Sequence, residues 1–148
     1  MIGVVVGIFC ALCVAGLCSY FFKLDVKWWI SLNKPSFVVS GGWFTAFVFV
    51  SYLSSVLSIT KLVEHKHIFP SMIFFLILGI FCVLFVVFMF NLKNLAVALF
   101  CITFVLAMSY VLFVRFMIKD YKIAIVYFPS LIFYVYGFLC MVCIALAN

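Results

Sequence analysis

Four groups of charges divide this chain into five uninterrupted apolar runs, and that punctuation constrains its fold more than any other feature. The charges fall at Lys23 to Lys34, Lys61 to Lys66, Lys93, and Arg115 to Lys122. The apolar runs lie at about 2–22, 41–60, 69–90, 95–115 and 123–147. As a helix at about 1.5 Å per residue, each crosses a hydrocarbon layer of about 30 Å. A membrane β-barrel would instead show alternating segments of about ten residues. These runs do not alternate, so helices satisfy their backbone. The expected fold is all-α: an integral membrane five-transmembrane-helix bundle forming one domain over residues 1–148.

Composition closes the alternatives. The 148 residues are 72% hydrophobic and 8% charged, whereas soluble domains are about half apolar and about a quarter charged. Disorder needs low hydrophobicity and high charge. The nine Lys and Arg behind the +6 net charge are scattered rather than gathered on one face, so no nucleic-acid partner is expected. The partner is a lipid bilayer, with the chain crossing it several times. Five basic residues fall on one expected side and four on the other, so charge does not set the orientation.

Each segment carries its own marks. The first lacks a basic start and a cleavage site, so it is expected to stay as a helix rather than be removed. Gly3, Gly7, Ala11, Ala15 and Ser19 repeat every four residues along it. Such a small-residue stripe serves packing within the bundle or a seam with a partner. Ser51, Ser54, Ser55 and Ser58 mark one side of the second segment, first as interhelical packing and hydrogen bonding. The third begins at Pro70, where a missing N–H costs nothing. Asn91-Leu92-Lys93-Asn94 predicts a tight hairpin, and Pro129 deprives a carbonyl about four residues earlier of its donor. The first connection, 23–40, is long for a compact chain and carries Trp28, Trp29, Leu32, Pro35 and Phe37 among its lysines. It is expected at the interface, as an anchor or as a lid over a ligand.

Familiar chemistries are missing. Asp25, Glu64 and Asp120 all lie in connections, which argues against an ion-coupled pump. His65 and His67 stand outside the spans, which argues against a haem held between helices. As a zinc pair they lack partners. The C-x-x-C pairs Cys10/Cys13 and Cys140/Cys143 lie in apolar helices, where cysteine acts as a small hydrophobe. No hydrolase triad, phosphate loop or glycine fingerprint occurs, so no catalytic residue, metal or cofactor is expected. Leu106, Tyr110 and Arg115 fit a forward sterol pattern, and Lys122, Tyr127 and Leu131 a reversed one. Patterns this short recur by chance.

Trp28-Trp29-Ile30-Ser31-Leu32-Asn33-Lys34-Pro35-Ser36-Phe37 resembles the W-Y-x-x-L-x-K-P-S-W stretch of the TspO/MBR family. That family comprises tryptophan-rich sensory proteins and the mitochondrial translocator protein, the peripheral-type benzodiazepine receptor. Phe44 and Tyr52 resemble its V-F and L-Y positions. Phe128-Pro129-Ser130-Leu131-Ile132-Phe133 resembles its V-P-Y-L-x-W stretch, and Asn148 stands where a family L-N or D-N pair often sits. Differences stand at Val38, Val39, Ser40 and Val48. Leu78, Cys82, Phe85 and Val87 replace the family's Q-x-x-x-N-x-x-W-x-P pattern, and Ser130, Phe133 and Met141 replace a tyrosine, a tryptophan and an asparagine.

The resemblance implies a five-helix bundle, often a homodimer, in a bacterial envelope or the mitochondrial outer membrane. Its cavity takes a porphyrin (haem included, as ligand rather than cofactor), a sterol-like molecule or a benzodiazepine-type drug. Cavity-lining positions would be Cys18, Phe21, Phe44, Thr45, Phe47, Phe85, Phe133, Gly137 and Cys140. Trp28, Lys34, Pro35 and Ser36 would form the lid, with Lys34 pairing an anionic ligand group. The replacements exchange amide and indole donors for apolar groups, so a porphyrin carboxylate finds fewer partners while an apolar ligand loses less. Porphyrin degradation, proposed for the family, is not expected here. The reading is therefore a membrane receptor or transport protein for a hydrophobic ligand, not an enzyme. The alternative is a helical membrane scaffold or assembly subunit that uses the Gly3-to-Ser19 stripe as its seam.

Overall fold

A computed structural model describes residues 2–22, 25–38, 41–63 and 69–148; within these, the side chains of 2–4, 6–7, 10–11, 26, 41–49, 63 and 69 are not described. The described residues are helical, in the order α1 (Ile2–Phe21), α2 (Val26–Ser31), α3 (Gly41–Val63), α4 (Phe69–Val86), α5 (Leu95–Lys119) and α6 (Tyr121–Ala147). A wider π-helical turn, Val87–Asn91, finishes α4. Three helical stretches, Pro70–Asn91, Leu95–Lys119 and Tyr121–Ala147, are long and apolar enough to cross a membrane.

Several helices run further than the charges suggested. The α3 helix reaches Val63, α5 reaches Lys119, and α6 starts at Tyr121. Lys61 and Lys119 occupy last turns, where a cation favours the helix dipole and a long stem reaches water. Asp120 alone separates α5 from α6. Its backbone N–H donates to the Phe116 carbonyl at 2.8 Å, and its side chain accepts from the Lys122 N–H at 2.9 Å. The expected hairpin after α4 is present. Lys93 turns the chain with φ 52°, and the Asn94 side chain caps α5 by accepting from the Val97 N–H at 3.2 Å.

The principal packing pairs are α1 with α3, α3 with α6, α6 with α5, α5 with α4, and α4 with α1. The order α1–α3–α6–α5–α4 thus closes on itself, so the five longer helices form a ring with an inside. Hydrophobic contact within the ring is carried by residues such as Leu62, Val105, Leu112, Phe116 and Tyr127. The outside is also apolar: Phe9, Phe100, Ile118, Ile125 and Leu146 are exposed. Water would not favour that surface, whereas lipid does.

The serine side of α3 faces α6. Ser54 Oγ donates to the Val126 carbonyl, next to Ile125, whose own carbonyl loses its donor to Pro129. Ser130 Oγ donates to the Ser51 carbonyl at 2.8 Å. These bonds are the interhelical role expected of the serines. On the other side of the ring, α1 and α4 approach through Gly79. A Cβ there would stand 2.8 Å from Val14 Cγ2.

Candidate functional site

The segment between α1 and α3 was expected as a loop, and the structure folds its centre into α2. Asp25 caps that helix by accepting from the Trp28 N–H at 3.2 Å. Ser31 Oγ donates back to the Trp28 carbonyl at 2.7 Å. The capping aspartate and the back-bonding serine close the two ends of this short helix, which is held in place by its packing and ties to the bundle.

This strap lies over the end of the ring that holds the C-termini of α1, α4 and α6. Leu32 is buried in the common core with Met89, Met141 and Ile144, and Trp28 and Trp29 pack against that core. Trp29 approaches Phe90 with ring centroids 6.1 Å apart. Polar ties hold the strap at both ends. Lys93 Nζ pairs with Asp25 Oδ2 at 2.7 Å and stands 5.9 Å from the Trp28 ring centroid. The hydrogen bond from Lys93, and then that from the Trp28 N–H, hold the Asp25 carboxyl below the usual carboxylate range. At the other end the Asn148 carboxamide clasps the backbone of Asn33: Oδ1 accepts from the Asn33 N–H at 2.9 Å, and Nδ2 donates to the Asn33 carbonyl at 3.1 Å. The Tyr136 hydroxyl donates to the Phe37 carbonyl at 3.2 Å.

Lys34 does not point at a ligand. Its Nζ donates to the carbonyls of Trp29 and Leu32 and sits 4.9 Å from the Trp29 ring centroid. This ammonium closes the open end of α2. Pro35 accepts through its carbonyl from the Val38 N–H at 3.1 Å, and Ser36 is exposed in the same turn.

Beneath the strap, burial changes along single helices. The inner seam of α6 runs Ile123, Tyr127, Ser130, Tyr134, Gly137, Met141 and Ile144, alternating steps of four and three. Five of these are buried, but Tyr134 and Gly137 keep accessible surface. On α4 the seam runs Ser71, Phe75, Leu78, Cys82, Phe85 and Met89, and Cys82 and Phe85 likewise stay half-buried between Leu78 and Met89. Tyr134, Cys82 and Phe85 all pack against the common core. Because α4 and α6 both run toward the strap, Phe85 and Gly137 lie one turn higher. Among the described residues, a Cβ on Gly137 would come nearest Ile102 Cδ1, at 3.8 Å, an ordinary contact. Nearer the strap the core closes with Leu32, Met89, Met141 and Ile144.

Of the residues expected to line a cavity, Phe85 packs half-buried against the core, and Gly137 and Cys18 are half-buried. Cys140, one turn above Gly137, is half-buried, as are Phe21 and Phe133. Phe21 stacks edge-on with Tyr20 at 5.2 Å and Phe133 meets Tyr134 at 5.9 Å. The side chains of Phe44, Thr45 and Phe47 lie outside those described, as do His65 and His67. Cys82 and Tyr134 were missed, although the four-three spacing of their seams carries the signal.

Other expectations divide. Tyr127 of the reversed sterol pattern is fully buried, with its hydroxyl 2.9 Å from Ser109 Oγ. It has no lipid-facing surface to offer a sterol. Tyr110 of the forward pattern is exposed. Cys140 and Cys143 are both free thiols. Among the described residues no three His, Cys, Asp or Glu side chains group to hold a metal. In the small-residue stripe, Ala15 is half-buried and Ser19 exposed, while the side-chain surroundings at 3, 7 and 11 are not described. Compared with known proteins, the chain matches no protein-family model and no curated protein.

Proposed function

We propose that this chain is a divergent TspO-like membrane protein of five spans that receives a hydrophobic ligand under the α2 strap and acts in its sensing or transport. The observation that carries the reading is the α2 strap, which lies across one end of a closed ring of helices and is held there by surface polar ties. A concave apolar space with few polar groups is the usual form of a small-molecule site. The closed order of helices and the Trp28-to-Phe37 resemblance support the same reading. In it, α1 and α3 also cross the bilayer, and the strap lifts to admit the ligand. Lys34 takes no part in binding and stiffens the strap instead. Sterol-like molecules suit this reading better than porphyrins, because apolar groups stand at Leu78, Phe85 and Phe133.

The test is ligand titration of purified protein followed by tryptophan fluorescence, with a sterol and with protoporphyrin. Saturable quenching by the sterol, weakened in Gly137→Leu, supports the reading. Absence of saturable binding by both ligands favours the scaffold.

A further inference from the structure

At the end of the ring opposite the strap, where α5 finishes and α4 begins, a buried N–H of a cation goes unused. Arg115 is half-buried on the flank of α5 that meets α4, and its guanidinium lies on the Phe74 ring, 4.7 Å from the centroid. Its Nη1 is shut from water and has no hydrogen-bond partner among the described residues. The described carboxylates are engaged elsewhere: Asp25 pairs with Lys93 at the strap, and Asp120 accepts from the Lys122 N–H. A second donor stands at the same end. Ser71, in the first turn of α4, is fully buried, and its Oγ also has no partner among the described residues. Phe75 stacks on Phe116 at 6.0 Å, which sets the register of the antiparallel pair. Ser71, one turn before Phe75, is therefore level with the last turns of α5. Phe74, like every helical side chain, leans toward the start of its own helix, and carries the guanidinium that way.

A buried cation without a counter-charge and a buried hydroxyl without an acceptor are each costly. Both can donate, and both stand by the positive end of the α4 dipole. One anion answers all three. We propose that Arg115, Ser71 and the start of α4 hold the phosphate of an anionic membrane lipid. The guanidinium fork matches phosphate oxygens, and Arg115 keeps part of its surface open, so its long stem can turn the unused edge onto an arriving oxygen. Both helices are long and apolar enough to cross a membrane, and this end of the pair falls at headgroup depth. The acyl chains lie along the exposed flank of α5 at Val111, Val114 and Ile118. The trimethylammonium of a phosphatidylcholine would set a second positive charge near Arg115, so the anionic headgroup is preferred. The site is independent of the strap and of the receptor reading.

The experiment measures equilibrium binding of tail-labelled fluorescent phosphatidylglycerol and phosphatidylcholine to the whole protein, immobilised in neutral detergent. Saturable phosphatidylglycerol binding is expected, about tenfold tighter than phosphatidylcholine and retained in about 0.5 M salt, which screens exposed charges far more than buried ones. Arg115→Gln should abolish the preference and Ser71→Ala should reduce it about threefold, whereas Lys122→Gln, at an exposed lysine of the same end, should leave it. Circular dichroism and gel filtration identify folded variants, and the headgroup and salt comparisons on the unaltered protein stand without any variant. Equal binding of the two lipids, a preference lost in high salt, or one that survives Arg115→Gln overturns the inference. Displacement of the lipid by excess inorganic phosphate keeps an anion site but overturns the lipid as its occupant.

Discussion

Tyr127 and Tyr134 stand seven residues apart on the same seam of α6, yet their surroundings differ. Tyr127 is fully buried and boxed edge-on by Phe75 at 5.8 Å and Phe116 at 5.4 Å, with its hydroxyl on Ser109. Tyr134 packs against the core with Phe133 at 5.9 Å and keeps accessible surface. The backbone periodicity is the same at both levels. What differs among the described neighbours is that two phenylalanines box Tyr127, whereas a glycine stands one turn above Tyr134. Interiors normally pack to near-crystalline density, and the proposed receptor places its spare volume at the Tyr134 level rather than at Tyr127.

The largest effect should come from deleting the tyrosine of the filled level. Tyr127→Ala should cost about 3–5 kcal/mol, the range for emptying a packed aromatic site. Tyr134→Ala should lower the midpoint of thermal unfolding in detergent by less than half as much. Equal losses would erase the distinction between the levels. Next come the glycines. Gly79→Ala drives a methyl against the stiff Val14 and should destabilise by about 1–3 kcal/mol. Gly137→Ala meets ordinary contact and should stabilise by about 0.5–1 kcal/mol through helix propensity, measured in the same scans.

The strap provides smaller effects. Asn148→Ala removes the clasp on Asn33 and should loosen the strap by about 1 kcal/mol. The change should appear as faster amide exchange in 26–38, with exchange around Tyr127 unchanged. The Asp25–Lys93 tie is exposed and weaker still. A depressed carboxylate contributes fully above its ordinary pKa of about 3.9 and loses that contribution as pH falls through the lowered value. Strap exchange, corrected for its intrinsic pH dependence, should therefore stay level from about pH 8 to about pH 5 and rise only below about pH 4. Asp25→Asn should remove the dependence.

Much of the architecture could be read from the chain because span length and charge placement depend on the bilayer rather than on tertiary detail. The hairpin at Asn91–Asn94, the helix start at Pro70 and the bonding role of the α3 serines follow from local chemistry. The strap was legible as a segment but not as a helix, since its order depends on Asp25 capping Trp28 and on Lys34 turning inward to the carbonyls of Trp29 and Leu32. The ties from Asn148 and Lys93 to the strap join residues distant in sequence, and no local pattern announces them. Inner and outer faces were equally hard to separate: lipid and core are both apolar, so Phe100 outside and Phe116 inside look alike in sequence. Only small or polar residues such as Ser130, Cys82 and Gly137 betray the inner side.

Diffraction from crystals pressurised with xenon tests the central claim most directly, because xenon enters empty apolar cavities. A xenon peak inside the ring between Phe85 and Gly137, with none around Tyr127, is the predicted result. A ring interior free of xenon at the Gly137 level, or a peak confined to the Tyr127 level, would contradict the account.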